Sequence, residues 1–166
     1  CKNFSQAVDS AFRHGFIPVK RLAGGRAAVF HGGTIGFSWT IPDRFPQQNV
    51  EYRFEVASRL ILESLRNLRY SASVGEVAGE YCPGRYSINI EGQYKVMGVG
   101  QRIVKGAAHL GGVLVVEDHL SIRKVLEDVY KKLDIDWNPE TVGSLNKQNL
   151  FENKNSVEMV REEIIS

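Results

Sequence analysis

Cys82 and Lys95 are the residues of this chain whose types and spacing best suit chemistry. Cys82 lies on a Cys-Pro-Gly turn, and Lys95 starts the returning strand of the hairpin that the next residues predict. A cysteine acts as a nucleophile through its thiolate, which is scarce at neutral pH unless a cation lies nearby. Lys95, Arg21 and His31 are the candidate cations. The alternatives are a small buried apolar residue for Cys82 and a solvated strand end for Lys95.

Two glycines follow Lys95 on one face of the same predicted strand. Gly98 and Gly100 are two residues apart, and alternate residues of a strand point to the same side. Glycine weakens a strand interior, so a repeat on one face indicates that something approaches the backbone there. The sequence therefore predicts a side-chain-free strip beside a lysine and a thiol, which suits a flat or extended ligand. The alternative is that the glycines serve only tight turns.

The histidines give a less definite signal. His31 could be a core histidine with satisfied hydrogen bonds or a donor in a binding site, and the sequence leaves both open. His14 and His119 are predicted on helix surfaces, whereas His109 fits either side of its strand. No pair of His, Cys or acidic residues has the spacing of a metal site, so no metal is predicted. The glycine-rich segment 22–40 lacks both the GxxxxGK[ST] phosphate loop and the GxGxxG dinucleotide fingerprint.

The elements that must position these residues follow from hydrophobic periodicity. In the clearest helix, the period places Leu60 on the core face and Arg53 on the solvent face. Helices separated by runs of strands predict an α+β (mixed α/β) fold, with a mostly antiparallel or mixed sheet packed with helices. The predicted helices cover 5–14, 52–68, 120–133 and 156–165; the predicted strands cover 16–22, 27–30, 34–40, 71–77, 86–90, a stretch from 95 onward, and 106–116.

Composition limits the classes of function. The chain has 166 residues, enough for one domain with a real core, and its formal charge of +2 gives no reason to expect nucleic acid. Two cysteines make no disulfide framework, so a reducing, cytoplasmic setting is expected. No apolar run approaches the roughly 20 residues that span a membrane, so no membrane partner is expected.

Two segments resemble a known family. RLAGGRAAVFHGG (21–33) resembles the R-x-x-G-G-x-A-V segment shared by lipoate–protein ligases and octanoyltransferases. KVMGVGQR (95–102) is similar to that family's K-[IVL]-x-G-[IVS]-[AGS]-Q segment. The segments lie in the family's order and at about its separation, and the resemblance extends over residues 16–133. It implies a biotin/lipoate ligase-like catalytic domain, although the GRGRxGRxW signature of biotin ligases is absent.

A third motif, EYCPGRYSINIEGQYK (80–95), divides the family into two chemistries. Its ligases activate lipoate with ATP as lipoyl-adenylate and need no cysteine, whereas its octanoyltransferases hold the acyl group as a cysteine thioester. The Cys-Pro-Gly here resembles that of cysteine-dependent octanoyltransferases that move octanoyl between carrier proteins. The spacing from the glycine pair to His31 agrees with that branch, but His31 itself is ligase-like because that branch has an acidic residue there.

The resemblance also implies roles for single residues. Cys82 would attack an octanoyl thioester or amide, and Lys95 would contact the acyl carbonyl or, in a ligase, the acyl-adenylate. A thioester divides one difficult transfer into two easier ones, and the lysine cation would stabilise the oxyanion. The other site residues would bind the substrate. Arg21, Gly24 and Gly25 would form a loop over the carboxyl end of the acyl group, and His31 would close that pocket. Gly98 and Gly100 would form a floor for the acyl chain.

The function implied is attachment of an octanoyl or lipoyl group to a specific lysine of a lipoyl carrier domain. The carriers would be the glycine cleavage carrier protein or 2-oxoacid dehydrogenase subunits, with acyl carrier protein as a further partner. The transferase route requires no cofactor, whereas a ligase would use ATP and Mg²⁺; lipoate or octanoate is the substrate. A non-catalytic module that binds lipoyl carriers and a plain interaction domain remain as alternatives.

The resemblance predicts how the chain is divided. Residues 1–140 would form the catalytic domain without the strands that normally precede its first helix, and residues 141–166 a C-terminal extension, a loop followed by a short helix. The segment 137–166 is too short and too polar to be the separate small domain of bacterial ligases. The chain is therefore expected to be a piece of a longer protein. No role is assigned to Cys1.

Overall fold

A computed structural model describes residues 3–150 and 156–166, so Cys1 lies outside the described residues. Among these residues, no helix is both long and apolar enough to cross a membrane. The helices are α1 (Phe4–Arg13), α2 (Val50–Asn67), α3 (His119–Leu133) and α4 (Ser156–Ile165), with short 3₁₀ helices at Pro139–Thr141 and Leu145–Gln148. The strands are β1 (Thr34–Pro42), β2 (Ala72–Val74), β3 (Ile88–Ile90), β4 (Tyr94–Val104) and β5 (Ala107–Val115).

The five strands form one antiparallel sheet in the order β1-β5-β4-β3-β2. β4 and β5 make a long hairpin, and β1 pairs with the outer side of β5 over its full length. β3 is only three residues long, so it covers just the first part of β4. The rest of that edge of β4 is free of a strand partner among the described residues. This sheet and its helices confirm the predicted α+β class.

Each face of the sheet has its own apolar core. Leu65 of α2 packs with Met97 and Leu114 on one face, and α4 adds Val160 to the same cluster. Helix α3 covers the other face, where its Leu126 packs with Val115. Leu114 and Val115 are consecutive, so they point to opposite faces, and both are fully buried. This two-sided burial explains the unbroken apolar run at the end of β5.

Two predicted strands are wrong. Segments 16–22 and 27–30 are irregular, and they flank a glycine-rich loop that crosses the face of the sheet instead of joining it. The carbonyl oxygen of Gly24 would lie only 2.8 Å from a Cβ atom on Gly100, so the loop backbone rests directly on β4. Pro18 has no N–H to give to a neighbouring strand. Apolar alternation alone does not distinguish a covering loop from a paired strand.

Arg53 was predicted on the solvent face of α2, and this is also wrong. The residue is 4% exposed, and its guanidinium donates to Gln101 on β4 at 2.7 Å and to Asp43 at 2.9 Å. Leu60, predicted in the core, is 51% exposed. The first turns of α2 face polar groups beside the cleft described below, so a charged residue is buried there because its partners are present.

The C-terminal segment packs into the same core. The predicted helix at 156–165 is confirmed, and Val160 and Leu145 are both fully buried on the α2 face. Val142 also forms an isolated parallel bridge with Lys95 of β4. The division of the chain at residue 140 stays a prediction.

Candidate active site

Lys95, near the start of β4, points into the protein. Its side chain is 2% exposed, and its ammonium nitrogen lies 2.7 Å from Oε1 of Glu80, whose side chain is 0% exposed. The pairing of β3 with β4 is irregular beside this lysine, between Ile88 and Asn89. Lys95 is therefore not the solvated strand end that was its alternative.

Glu80 is a site residue that the sequence analysis missed. Its Oε1 accepts hydrogen bonds from Lys95, from the Ser87 hydroxyl at 2.7 Å and from the Gly84 N–H at 3.1 Å, and its Oε2 accepts from the Val77 N–H at 2.9 Å. These bonds join residues on both sides of the Cys-Pro-Gly turn. A carboxylate two residues before the cysteine was visible in the sequence. It becomes informative only once Lys95 is known to be buried, because a buried cation needs a counter-charge.

The backbone of Cys82 is held in an unusual conformation. Its φ of +45° lies in the left-handed region, which residues other than glycine rarely adopt. The ammonium of Lys95 donates to the carbonyl oxygen of Cys82 at 2.7 Å and to that of Tyr81 at 3.0 Å. These two bonds fix the carbonyl groups of the turn. The lysine thus contacts the backbone of the cysteine.

The sulfur of Cys82 has a different set of donors. The N–H of Arg26 donates to Sγ at 3.1 Å, and Nη2 of Arg21 lies 3.6 Å from it. Of the three candidate cations, Arg21 is the one that the structure places beside the sulfur. Gly25, with φ of +110°, makes this approach possible, since a Cβ atom there would lie 2.9 Å from Sγ. A guanidinium and a backbone N–H are both suited to stabilising a thiolate.

Glycines make up much of the floor of the site. The strand register places Gly98 next to Val113 and Gly36 in one row across β4, β5 and β1. The next row contains Gly100, Gly111 and Ser38. Glycine thus recurs on β5 and β1, and the side chains of Val113 and Ser38 interrupt the strip. A Cβ atom on Gly98 would lie 3.3 Å from Cε of Lys95, so the strip begins beside the lysine.

A cleft of about 650 Å³ brings most of the predicted residues together. Its size is in the usual range for small-molecule sites, and apolar side chains dominate its walls. Seven of the eight predicted site residues line it: Arg21, Gly24, Gly25, Cys82, Lys95, Gly98 and Gly100.

His31 is the predicted site residue that lies elsewhere. It lines a separate cavity with His14, Asp118 and Lys124, among others, so it does not close the cleft around Cys82. Its Nδ1 accepts a hydrogen bond from the N–H of Gly33 at 2.9 Å. Its Nε2 is buried without a hydrogen-bond partner among the described residues.

Aromatic side chains that the sequence analysis did not assign form part of the cleft wall. Phe54 and Tyr86 stack with ring centroids 5.4 Å apart, and the ammonium of Lys95 lies 4.9 Å from the ring centroid of Tyr81. Burial raises the pKa of Tyr81 above its ordinary value, with smaller contributions from Tyr130, Glu80 and Cys82. The phenol is therefore neutral at physiological pH and does not act as a base.

Comparison with known proteins identifies the family. The model of the lipoyl protein ligase A/B catalytic domain matches residues 3–166 of this chain. The chain belongs to this family. An octanoyl-GcvH:protein N-octanoyltransferase of Exiguobacterium sibiricum is 31% identical over 129 residues, which are 77% of this chain and 46% of that protein. A lipoyl-GcvH:protein N-lipoyltransferase of Listeria monocytogenes is 28% identical over 143 residues, 80% of this chain and 51% of that protein. This member of the lipoyl protein ligase A/B family thus spans about half the length of the curated relatives it matches.

Solved structures confirm the fold expected for the lipoyl protein ligase A/B family. A putative lipoate protein ligase from T. acidophilum with bound lipoic acid has a TM-score of 0.70 at 22% identity, covering 95% of this chain and 59% of that one. A lipoate-protein ligase A bound with ATP has a TM-score of 0.72 at 21% identity, with the same coverage of 95% and 59%. The predicted lipoate ligase-like architecture is confirmed.

Proposed function

We propose that this chain is the catalytic part of a protein-lipoylation enzyme that attaches an octanoyl or lipoyl group to a lysine of a lipoyl carrier domain through a thioester on Cys82. The observation that carries the proposal is the position of the Cys82 sulfur, which lines the cleft and has Arg21 and the Arg26 N–H beside it. The names of the relatives, an octanoyltransferase and a lipoyltransferase, support the same chemistry.

The reaction has two steps. First, the Cys82 thiolate bonds to the acyl carbonyl carbon of the donor, the tetrahedral intermediate collapses, and the donor's thiolate or amine leaves and takes a proton. Second, the amine of the acceptor lysine attacks the thioester, the C–S bond breaks, and the amine loses its proton to solvent. Dividing the transfer in this way replaces one high barrier by two lower ones. The route uses no cofactor.

The residues of the cleft have separate roles in this scheme. Arg21 pairs with the thiolate, and Lys95 assists by holding the turn that carries Cys82. Gly24 and Gly25 keep the covering loop close to the sulfur. Gly98 leaves room for the acyl chain on the sheet, whereas Gly100 makes room for the covering loop at Gly24. His31 has no role in the proposal, since it lies outside the cleft.

The partners proposed are lipoyl carrier domains. The relatives are named for GcvH as donor, which supports the glycine cleavage carrier protein; 2-oxoacid dehydrogenase subunits and acyl carrier protein belong to the same proposal. A thiol that must stay free suits a reducing compartment, in keeping with the predicted cytoplasmic location. A solvent-exposed Lys95 would favour the non-catalytic alternative, but its side chain is 2% exposed.

The test is the intact mass of the full-length protein after mixing with octanoyl-loaded carrier protein. The parent should gain an octanoyl adduct that hydroxylamine removes, and Cys82→Ala should gain none. Carrier modification that requires ATP and Mg²⁺ and proceeds equally in both proteins would replace the proposal by a lipoate–protein ligase, with Lys95 binding the lipoyl-adenylate. Carrier binding without any acyl transfer would indicate a binding module.

A further inference from the structure

We propose that Glu80 is a positioning residue of this enzyme, which fixes the Cys82 turn by holding Lys95 against it. The inference rests on the proposed function only in taking Cys82 as the nucleophile. Glu80 is absent from the described residues that line the cleft, whereas Lys95 and Cys82 are present there. Glu80 therefore acts on the sulfur through another residue and does not touch the substrate.

The hydrogen bonds of Glu80 tie the loop around Cys82 into a closed unit. Val77 precedes the cysteine by five residues, and Ser87 follows it by five, yet both donate to the same carboxylate. The Gly84 N–H, two residues after the cysteine, is a third donor. Because a carboxylate accepts several bonds at once, one side chain sets the distance between the two arms of the loop.

Lys95 connects this carboxylate to the cysteine. An ammonium has three N–H donors, and all three are used here, one on Glu80 and two on the carbonyl oxygens of Tyr81 and Cys82. The side chain of Lys95 is buried, so its charge needs the compensation that Glu80 gives. Without Glu80, the buried ammonium has only the two carbonyl dipoles as partners and is no longer fixed against them.

The consequence for the sulfur follows from the backbone of Cys82. A left-handed φ at a non-glycine residue persists only where surrounding contacts impose it. The Lys95 bond to the Cys82 carbonyl is such a contact, and the sulfur reaches the Arg26 N–H and Arg21 from this conformation. Releasing the ammonium lets the turn relax, and the sulfur then leaves the donors that stabilise its thiolate.

The test is a double-mutant cycle on Glu80→Gln and Lys95→Met in the full-length protein. Cys1→Ser is present in every variant, which leaves Cys82 as the only thiol of this chain's two cysteines. The measurement is the rate of Cys82 alkylation by iodoacetamide, followed by peptide mass. At pH 7, each single substitution should slow alkylation about tenfold, and the double variant should be no slower than the slower single variant.

Several outcomes would overturn the inference. The first is an alkylation rate in Glu80→Gln equal to that of the parent. The second is a double variant that reacts about a hundredfold more slowly than the parent, as two independent effects would give. The third is a tenfold difference in rate between the parent and a single variant that persists at pH 10. An ordinary cysteine thiol is ionised at pH 10, so a difference in rate there would show that access to the sulfur had changed. Equal rates at pH 10 support the positioning role. Glu76→Gln, an exposed carboxylate in the same loop, is the matched control and should alkylate like the parent.

Folding failure is covered by the design. Glu80→Gln leaves an uncompensated buried ammonium, whereas the double variant has a neutral pair. If Glu80→Gln does not melt cooperatively, the Cys82 alkylation rates of Lys95→Met and the double variant are compared instead. The inference requires that these two rates differ by less than about twofold. Alkylation needs no acyl donor, so a parent that fails to take up octanoyl would refute the proposed function and leave the cycle interpretable.

Discussion

The ammonium nitrogen of Lys95 lies 2.7 Å from the carbonyl oxygen of Cys82, so this lysine holds the backbone of the proposed nucleophile. The sulfur of Cys82 depends on Arg26 and Arg21 instead. Support of the turn and stabilisation of the thiolate are thus assigned to different cations. Lys95 therefore acts on the sulfur through the geometry of the turn, whereas Arg21 acts on it by direct contact.

Replacing the cation beside the sulfur should slow its chemistry. Arg21→Gln removes the guanidinium 3.6 Å from Sγ while leaving the Arg26 N–H in place. We expect Cys82 alkylation at pH 7 to slow about tenfold, because the guanidinium no longer stabilises the attacking sulfur. Lys20→Gln, the exposed basic neighbour, is the control and should react like the parent. Equal rates for parent and Arg21→Gln would remove Arg21 from the mechanism.

The loop over the sulfur should not tolerate a side chain at its second glycine. Gly25→Ala places a Cβ atom 2.9 Å from Sγ, closer still to the Arg21 guanidinium, and forces alanine into φ of +110°. Octanoyl adduct formation on Cys82 should fall more than about tenfold. Gly32→Ala is the matched control, since nothing lies within 4 Å of its new Cβ atom. Similar losses in both variants would mean that general loop flexibility, and not this contact, is what matters.

Two paired glycines of the floor should respond differently to the same change. Gly100 and Gly111 are cross-strand partners, but a Cβ atom on Gly100 would lie 2.8 Å from the Gly24 carbonyl oxygen, whereas on Gly111 the nearest atom is 3.6 Å away. Gly100→Ala should therefore lower the free energy of unfolding by about 1–3 kcal/mol. Gly111→Ala should change it by less than about 0.5 kcal/mol. Urea denaturation of the two variants measures the difference; equal midpoints would show that the loop does not rest on Gly100.

Stability should depend on pH through His119, which was predicted on the surface but is half-buried and bonded to the Ser144 hydroxyl at 2.7 Å. Burial, and then the charge of Lys147, lowers the pKa of His119 below 6.5. His119 therefore binds a proton more tightly in the unfolded chain than in the folded protein. The stability that the neutral histidine contributes is complete above the pKa of His119 in the unfolded chain. It is lost as the pH falls through the pKa of His119 in the folded protein. The free energy of unfolding should decline between about pH 7 and pH 5.

The variant His119→Gln tests whether His119 causes this pH dependence. Its free energy of unfolding should decline less between about pH 7 and pH 5, because a glutamine side chain has no proton to take up. His109→Gln serves as the control, since the described residues give this histidine an exposed hydrogen bond to the Thr40 hydroxyl, at 2.9 Å. An identical slope in parent and His119→Gln would assign the pH dependence to other groups.

Much of the fold could be predicted because its signals are local. Helices α2, α3 and α4 begin and end within two residues of their predicted bounds, since their apolar period, polar faces and stop residues are all contiguous in the chain. The strands at 16–22 and 27–30 could not be distinguished from a covering loop, because only the tertiary structure shows what their backbones face. Arg53 was misplaced for the same reason: its partners Gln101 and Asp43 are distant in sequence.

The sequence alone determined the family, the cysteine on its turn, the lysine and the glycine strip, because each depends on residue types at short, fixed spacing. Only the tertiary structure decided how these parts interact. Lys95 pairs with Glu80, Arg21 lies beside the sulfur of Cys82, and His31 lines another cavity. The physical reason is that the charge state and donors of a buried group depend on whichever distant residues the fold brings within about 3 Å, and spacing along the chain carries no record of that distance.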